Sequence, residues 1–350
     1  MSDSYTDFNM HNCAPQGCRF IGVYNENGKV GLIEVPSQMR VPNSQKLYSF
    51  LSISDSHVQS TYGNDGNDGA TDLNRAIKFA NNTDAIKFVC HCGDAADSGD
   101  IPHLERLKAI IDACTKPVYP ISGNHEEITG EGNIELGYNS LLPYFGQPLY
   151  YSFTYGEDIF IMLGESGYTT GNFFIDGELQ FMYDILETNR NKRCFVFQHV
   201  FNFDEGDSGN PNNLYSSGDL FTAGNSAYRQ KEKKCFIDML KHYKNTVWFH
   251  GHSHALFELQ SIESWANYSE NLGYRSVHIP SITKPKDANG EYVTEGSQGY
   301  IVDVYNGFIV LKGRDFAMGK FLPISTYKID TTLQPVEAGT FTDSTGIITI

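Results

Sequence analysis

Basic charge is scarce in this 350-residue chain: 26 Lys and Arg stand against 42 Asp and Glu, for a formal net charge of −16. That balance opposes a large phosphate-backbone footprint, because nucleic-acid binding needs a basic surface. A small phosphorylated substrate stays compatible with it, since bound cations invert the local field. Long apolar runs are missing as well. No stretch of about 18 apolar residues exists, so no membrane span is expected. Met1 to Phe20 is polar and lacks the basic and apolar regions of a secretory signal. A cytoplasmic protein is the default expectation, although a leader removed beforehand would leave the same N-terminus. Cysteine is thinly spread, at Cys13, Cys18, Cys90, Cys92, Cys114, Cys194 and Cys235. An odd count over a long chain does not make a disulfide framework, so free thiols are expected, with Cys13 and Cys18 able to pair in an oxidising compartment. No internal repeat is found.

What is present is enough apolar residue, 40%, for a sizeable core in one large domain or two modest ones. Residues 19–35 predict a β-hairpin around a turn ending in Asn27-Gly28. From residue 46 the order becomes strand, polar motif, helix. Apolar runs over Leu47–Ile53, Ile86–Cys90, Pro117–Ile121, Cys194–Phe197 and Thr246–Phe249 predict buried strands. Helices are predicted over 72–81, with Thr71 or Asp72 able to cap, and over 101–114, with Pro102 in the first turn. Two more are predicted over 177–189 and 226–243. Beyond about 255 the chain is strand-rich, with a hairpin turn at Asn306-Gly307, and is expected to complete a second sheet. Stretches 60–70, 127–149 and 202–226 read as long loops, each beside a polar motif, where loops are often functional.

Each predicted strand ends just before a metal-ligand motif. These are Asp55-Ser56-His57, Gly93-Asp94, Gly123-Asn124-His125-Glu126, His199, and Gly251-His252-Ser253-His254. Ligand sites in open α/β sheets form at that carboxyl edge. Carboxylate, amide and imidazole donors without a thiolate suit Mn, Fe, Zn, Ni or Co rather than a cysteine-rich structural zinc. Asp94, directly after a glycine, suits a bridging carboxylate between two ions. Asp55 and His57 lie two apart, which in extended chain puts both on one face to grip one ion. His252 and His254 have the same spacing and follow the same logic. Two ions roughly 3.5–4 Å apart would lower the pKa of a bridging water and stabilise charge on phosphorus. His125, whose neighbour Asn124 is the ligand, is expected to face the substrate and protonate the leaving oxygen. A carboxylate should orient it, with Asp97 the first candidate and Glu126 the second. His91, between Cys90 and Cys92, reads as strand packing. Arg75 and Arg314 are weaker candidates for phosphate contact, and Tyr62, Tyr168, Phe201 and Phe203 for pocket walls.

With these blocks in this order, the chain resembles the calcineurin-like metallophosphoesterase superfamily over about residues 46–255. The resemblance implies a four-layer α/β/β/α sandwich with a dinuclear centre. Carried over by motif, Asp55, His57, Asp94 and His254 would hold the first metal. Asp94, Asn124, His199 and His252 would hold the second, and His125 matches the general acid. Ser98 stands where serine/threonine protein phosphatases carry a phosphate-binding Arg, and Asp97 where purple acid phosphatases place a metal-bound Tyr. Both departures argue against those branches. The set is similar to small bacterial phosphodiesterases. The expected organisation is an accessory β segment over 1–45, the metallophosphoesterase domain over 46–328 and a C-terminal strand or tail over 329–350. The expected function is hydrolysis of a small phosphoric ester, phosphodiesters slightly preferred. A phosphomonoesterase or nucleotidase, and a non-catalytic metal-bound scaffold, stand as alternatives.

Overall fold

The computed structural model describes residues 20–24, 30–34, 46–60, 69–126, 144–164, 174, 177–200, 227–257, 268–269, 273–286, 291–292 and 296–341. Strands β1 (Phe20–Tyr24) and β2 (Val30–Glu34) pair antiparallel as the expected hairpin. Two six-stranded sheets follow. In the first, β3 (Lys46–Ile53), β4 (Ile86–Cys92) and β5 (Val118–Ile121) run parallel. In the second, β7 (Asp158–Met162), β8 (Cys194–Phe197), β9 (Thr246–His250) and β11 (Arg275–His278) run parallel. Antiparallel β6 (Tyr151–Tyr155) and β10 (Tyr268–Ser269) edge that sheet.

Alternation along each strand sends side chains to two different interiors. Tyr48 and Phe50 of β3 and Phe195 and Phe197 of β8 meet Phe88, Phe160, Phe249 and Val302 between the sheets. Phe50 stacks on Phe88 with centroids 5.3 Å apart and meets Phe160 edge-on at 5.4 Å, both favourable aromatic geometries. Leu51 and Ile53 face the other way, onto Leu73, Ala76 and Ile77 of α1 (Gly69–Asn81) and Leu104 and Leu107 of α2 (Ile101–Asp112). On the far sheet, Val196 and Trp248 pack against Leu179 and Met182 of α3 (Glu178–Thr188) and Phe236 and Leu240 of α4 (Ala227–His242). The result is helix, sheet, sheet, helix. With both faces covered, strands such as β8 and β9 are buried throughout, which is why they read as continuous apolar runs.

Two expectations are corrected. Among the described residues beyond 255, only β10 and β11 complete the second sheet as expected; β12 (Gln298–Tyr305), β13 (Phe308–Asp315) and β14 (Lys320–Asp330) extend the first. Strand β12 pairs antiparallel with β3, whose other edge is taken by β4, so the tail closes an edge that local pattern could not identify. Helix α1 begins at Gly69, so Thr71 and Asp72 lie inside its first turn rather than at a cap, and residues 69–70 belong to the helix rather than the loop. Past β14, Val336 and Phe341 pack into the core beneath α3 and α4. No helix among the described residues is long and apolar enough to cross a membrane. Loop segments 61–68, 127–143 and 201–226, with Tyr62, Tyr168, Phe201, Phe203, Cys13 and Cys18, lie outside the described residues.

Candidate metal centre

The carboxyl ends of β3 and β4 stay zipped together beyond the sheet. Asp55 N donates to Gly93 O (3.1 Å), His57 N to Asp94 O (3.0 Å) and Val58 N to Ala95 O (2.9 Å), and Asp97 N returns to Val58 O (3.1 Å). These bonds hold a twisted backbone. Six described non-glycine residues have positive φ: Asp55, His57, Asp94, His252, His254 and Lys284, at 54°, 42°, 49°, 73°, 63° and 52°. Five of them are expected ligands. Asp and His enter this region more readily than most side chains, yet it persists only where the surroundings over-determine it. Gly93, at φ 87°, adds a close approach: a β-carbon there would lie 2.7 Å from the His199 ring. Glu126 locks the turn from below. Its Oε2 accepts from Asp94 N (3.0 Å) and Gly123 N (2.7 Å), and its Oε1 from Ala96 N (2.7 Å).

Side chains from five strand ends then converge. Ligand-capable atoms of Asp55, His57, Asp94 and His254 form one buried group, and those of Asp94, His199 and His252 form another, so Asp94 belongs to both. His199 Nε2 lies 3.1 Å from Asp94 Oδ2, and His254 Nε2 lies 3.3 Å from Asp55 Oδ1 and 2.9 Å from His57 Nε2. The opposite ring nitrogens decide what these contacts are. His199 Nδ1 faces the Cys92 carbonyl at 2.7 Å and His254 Nδ1 faces the Lys284 carbonyl at 2.8 Å. A carbonyl only accepts, so each Nδ1 carries the hydrogen, and in the neutral ring Nε2 keeps a lone pair. Each Nε2 therefore faces carboxylate oxygens, an arrangement that needs a proton or a metal cation between. Asp55 Oδ1 and Asn124 Oδ1, both buried, have no hydrogen-bond partner among the described residues. Buried acceptors rarely stay unpaired, and here they complete an O/N donor set that fits divalent cations.

The electrostatics follow the crowding. Burial pushes the Asp94 carboxyl up, but the imidazoles of His199, His125 and His57 outweigh it and hold the group well below the usual range. For Asp55, burial is likewise overcome by His199 and His254. His57 is driven down to about 4, first by burial and then by His125. His125 goes the other way: burial pulls it down, but Asp94, the Asp97 carbonyl and Glu126 raise it overall. Glu126 is pushed up to about 7 by burial and by Asp94.

Several expectations need adjustment. Asp97 does meet His125, but through its main-chain carbonyl, 2.8 Å from Nδ1. Its carboxylate points instead at Lys284 Nζ (2.7 Å), Gln59 Nε2 (2.9 Å) and His57 Nδ1 (3.4 Å). Glu126 spends both oxygens on backbone amides and orients the turn rather than the imidazole. The extended-chain logic fails for both pairs, since all four residues are left-handed; Asp55 and His57 still enter one group, while His252 and His254 enter different ones, as the family motifs implied. His91 is buried and bonds Ser56 Oγ at 2.9 Å, facing away from the inter-sheet core that holds Cys90 and Cys92. Arg75 pairs with Asp72 on the surface, and the Arg314 guanidinium stacks 4.1 Å over Phe79, a packing role. Lys284 was missed altogether; its only local signal is Pro285, which disfavours a right-handed helical conformation in the residue before it.

The comparisons agree with the geometry. The family model for calcineurin-like phosphoesterase matches residues 48–256. No curated protein sequence matches the chain. A purple acid phosphatase from yellow lupin seeds superposes with a TM-score of 0.52 at 16% identity, over 89% of this chain and 59% of that one. This chain thus spans little more than half of the plant enzyme's chain, and the likeness is one of fold. Vacuolar protein sorting 29 from Cryptosporidium parvum matches more loosely, with a TM-score of 0.37 at 14% identity, over 82% of this chain and 100% of its own. The phosphopantetheinyl hydrolase of Mycobacterium tuberculosis has a TM-score of 0.36 at 13% identity, over 67% of this chain and 89% of its own. With its motif strands, its two facing sheets and the matched span, this chain belongs to the calcineurin-like phosphoesterase family.

Proposed function

We propose that this chain is a metal-dependent phosphoric-ester hydrolase with a dinuclear centre, slightly preferring small phosphodiesters. The observation that carries the reading is the buried convergence of ligand atoms, Nε2 of His199 and His254 with the carboxylates of Asp55 and Asp94, beside an Asn124 Oδ1 that has no hydrogen-bond partner among the described residues. Asp55, His57, Asp94 and His254 would hold one cation, and Asp94, Asn124, His199 and His252 the other. Mn, Fe, Zn, Ni or Co would suit them. Such ions, when bound, supply Lewis acidity and a lowered pKa for coordinated water.

The chain's own residues supply the proton. His125 N is tied to Asp94 Oδ1 at 2.9 Å, so the putting in place of the ring and of the ligand is one event. Its Nδ1–H is given to the Asp97 carbonyl, which leaves Nε2 to carry the transferable proton. A proton held there, facing the ester, is what a general acid needs. The domain reading belongs to the same proposal: the catalytic unit spans 46–328, flanked by an accessory β segment and a short tail.

The test is a panel of matched mono- and diesters sharing one leaving group, with metal analysis of the same sample. Turnover with bound divalent cation, faster on diesters, is the expected result. Faster monoester turnover would move the assignment to a phosphomonoesterase or nucleotidase. No turnover with Mn, Fe, Ni or Zn would overturn the enzymatic reading.

A further inference from the structure

Lys284 is the one residue among the described left-handed set that is neither Asp nor His. A lysine has no intrinsic preference for that region, so its surroundings must impose it. They do so from both ends. Upstream, Ile282 N donates to Ser54 O (2.9 Å) and Thr283 N to Asp55 O (3.2 Å); downstream, Lys286 N donates to His254 O (3.0 Å). Residues 282–286 therefore bridge the Asp55 turn and the His254 turn, with Lys284 between the anchors.

The twist aims one part of this residue at a ligand and another at the carboxylate beside a second ligand. Its carbonyl accepts from His254 Nδ1 at 2.8 Å. Its ammonium lies 2.7 Å from Asp97 Oδ1, and that same oxygen is 3.4 Å from His57 Nδ1. His57 and His254 in turn bring their Nε2 atoms to 2.9 Å. The contacts close a ring: Lys284 carbonyl, His254, His57, Asp97 carboxylate, Lys284 ammonium.

We propose that Lys284 is a positioning residue for the cation held by Asp55, His57, Asp94 and His254. Its main chain sets the tautomer and orientation of His254, and its side chain holds the Asp97 carboxylate against His57. The inference rests on the metal-dependent reading above. Partners one step behind metal ligands tune affinity because they set which nitrogen bears the lone pair and where it points.

The test is calorimetric titration of Mn²⁺ into the full chain after chelator treatment, with melting curves for every variant. Lys284→Gln and Asp97→Asn should each weaken one binding step about 10–100-fold, the range for such partners. Both remove the Lys284–Asp97 ion pair, and Asp97→Asn also alters the contact to His57, so the double variant should bind no more weakly than Asp97→Asn alone. Lys284→Arg should restore most of the affinity. Lys284→Gly, which takes the left-handed conformation freely and keeps the carbonyl, should stay folded and behave like Lys284→Gln. Wild-type Mn²⁺ affinity in Lys284→Gln or Asp97→Asn would overturn the proposal, as would additive losses. A raised KM in Lys284→Gln with unchanged Mn²⁺ binding would also overturn it, since that marks direct contact with the ester. Asn124→Ala separates the two readings. If it loses Mn²⁺ while Lys284→Gln does not, only the Lys284 inference falls. If the wild-type chain binds no Mn²⁺, the metal-dependent reading falls and takes this inference with it.

Discussion

Replacing Glu126 tests whether the turn beneath the ligands is held as the hydrogen bonds indicate. The side chain is fully buried and accepts from three backbone amides, those of Asp94, Ala96 and Gly123. Glu126→Gln keeps the shape but converts one oxygen to an amide nitrogen. The least costly choice puts that nitrogen at the Oε1 position, where it faces a single amide, Ala96 N, donor to donor. An orphaned buried amide costs about 1–3 kcal/mol. Glu126→Ala orphans all three and leaves a cavity. Water entry and relaxation should hold that loss to about 3–5 kcal/mol, near the top of what single substitutions do. The measurement is urea denaturation followed by circular dichroism. Two of the three amides belong to Asp94 and Gly123 and keep their acceptor in Glu126→Gln, so divalent-cation affinity should fall mainly in Glu126→Ala. A Glu126→Gln variant as stable as wild type, or an Ala variant no worse than Gln, would refute the reasoning.

Other outcomes follow from the same geometry. His125→Ala should keep its divalent cations but lose about 10²–10⁴-fold in kcat on esters with poor leaving groups, the contribution expected of a general acid; full activity on those esters would remove His125 from that role. Asp94→Asn, altering the residue shared by both groups, should lower the cation content found by elemental analysis; two full equivalents would count against a shared ligand. Adding a cation at 100 times its Kd should stabilise the fold by about 2.7 kcal/mol, seen as a higher Tm; a Tm indifferent to Mn, Zn and Ni would contradict the donor set. Far from the site, the fully buried Lys312 Nζ pairs with Asp303 Oδ2 at 2.8 Å. Asp303→Asn should cost about 3–5 kcal/mol because it removes the buried countercharge of that ammonium. Burial pushes the Asp303 carboxyl up, but Lys312 and Lys46 outweigh it and lower its pKa. Its contribution is therefore present above the unfolded carboxyl pKa of about 3.9 and is lost as pH falls through the lower folded value. An Asn variant with an unchanged acid-unfolding profile would show the pairing to be idle.

The sequence by itself determined the donor chemistry and the order in which strands deliver it. Apolar runs buried on both faces, each followed by Asp, Asn or His, are local patterns, and β3, β4, β5, β8 and β9 lie where those runs stand. Hydrophobic burial places such runs in the interior, so the polar residues after them must emerge together at one edge. Tertiary structure decided what spacing by itself could not at that edge. Spacing put His252 with His254, whereas the family motifs assigned them to different ions, and the structure places them in different groups. Motif position offered Asp97 as a carboxylate for His125, but the ladder between residues 58 and 97 turns its carbonyl there and its side chain toward His57 and Lys284. Lys284 carries no ligand chemistry of its own and becomes visible only once residues more than 180 positions away lie beside it. Backbone φ at such turns is imposed by bonds between distant segments, and no local periodicity encodes it.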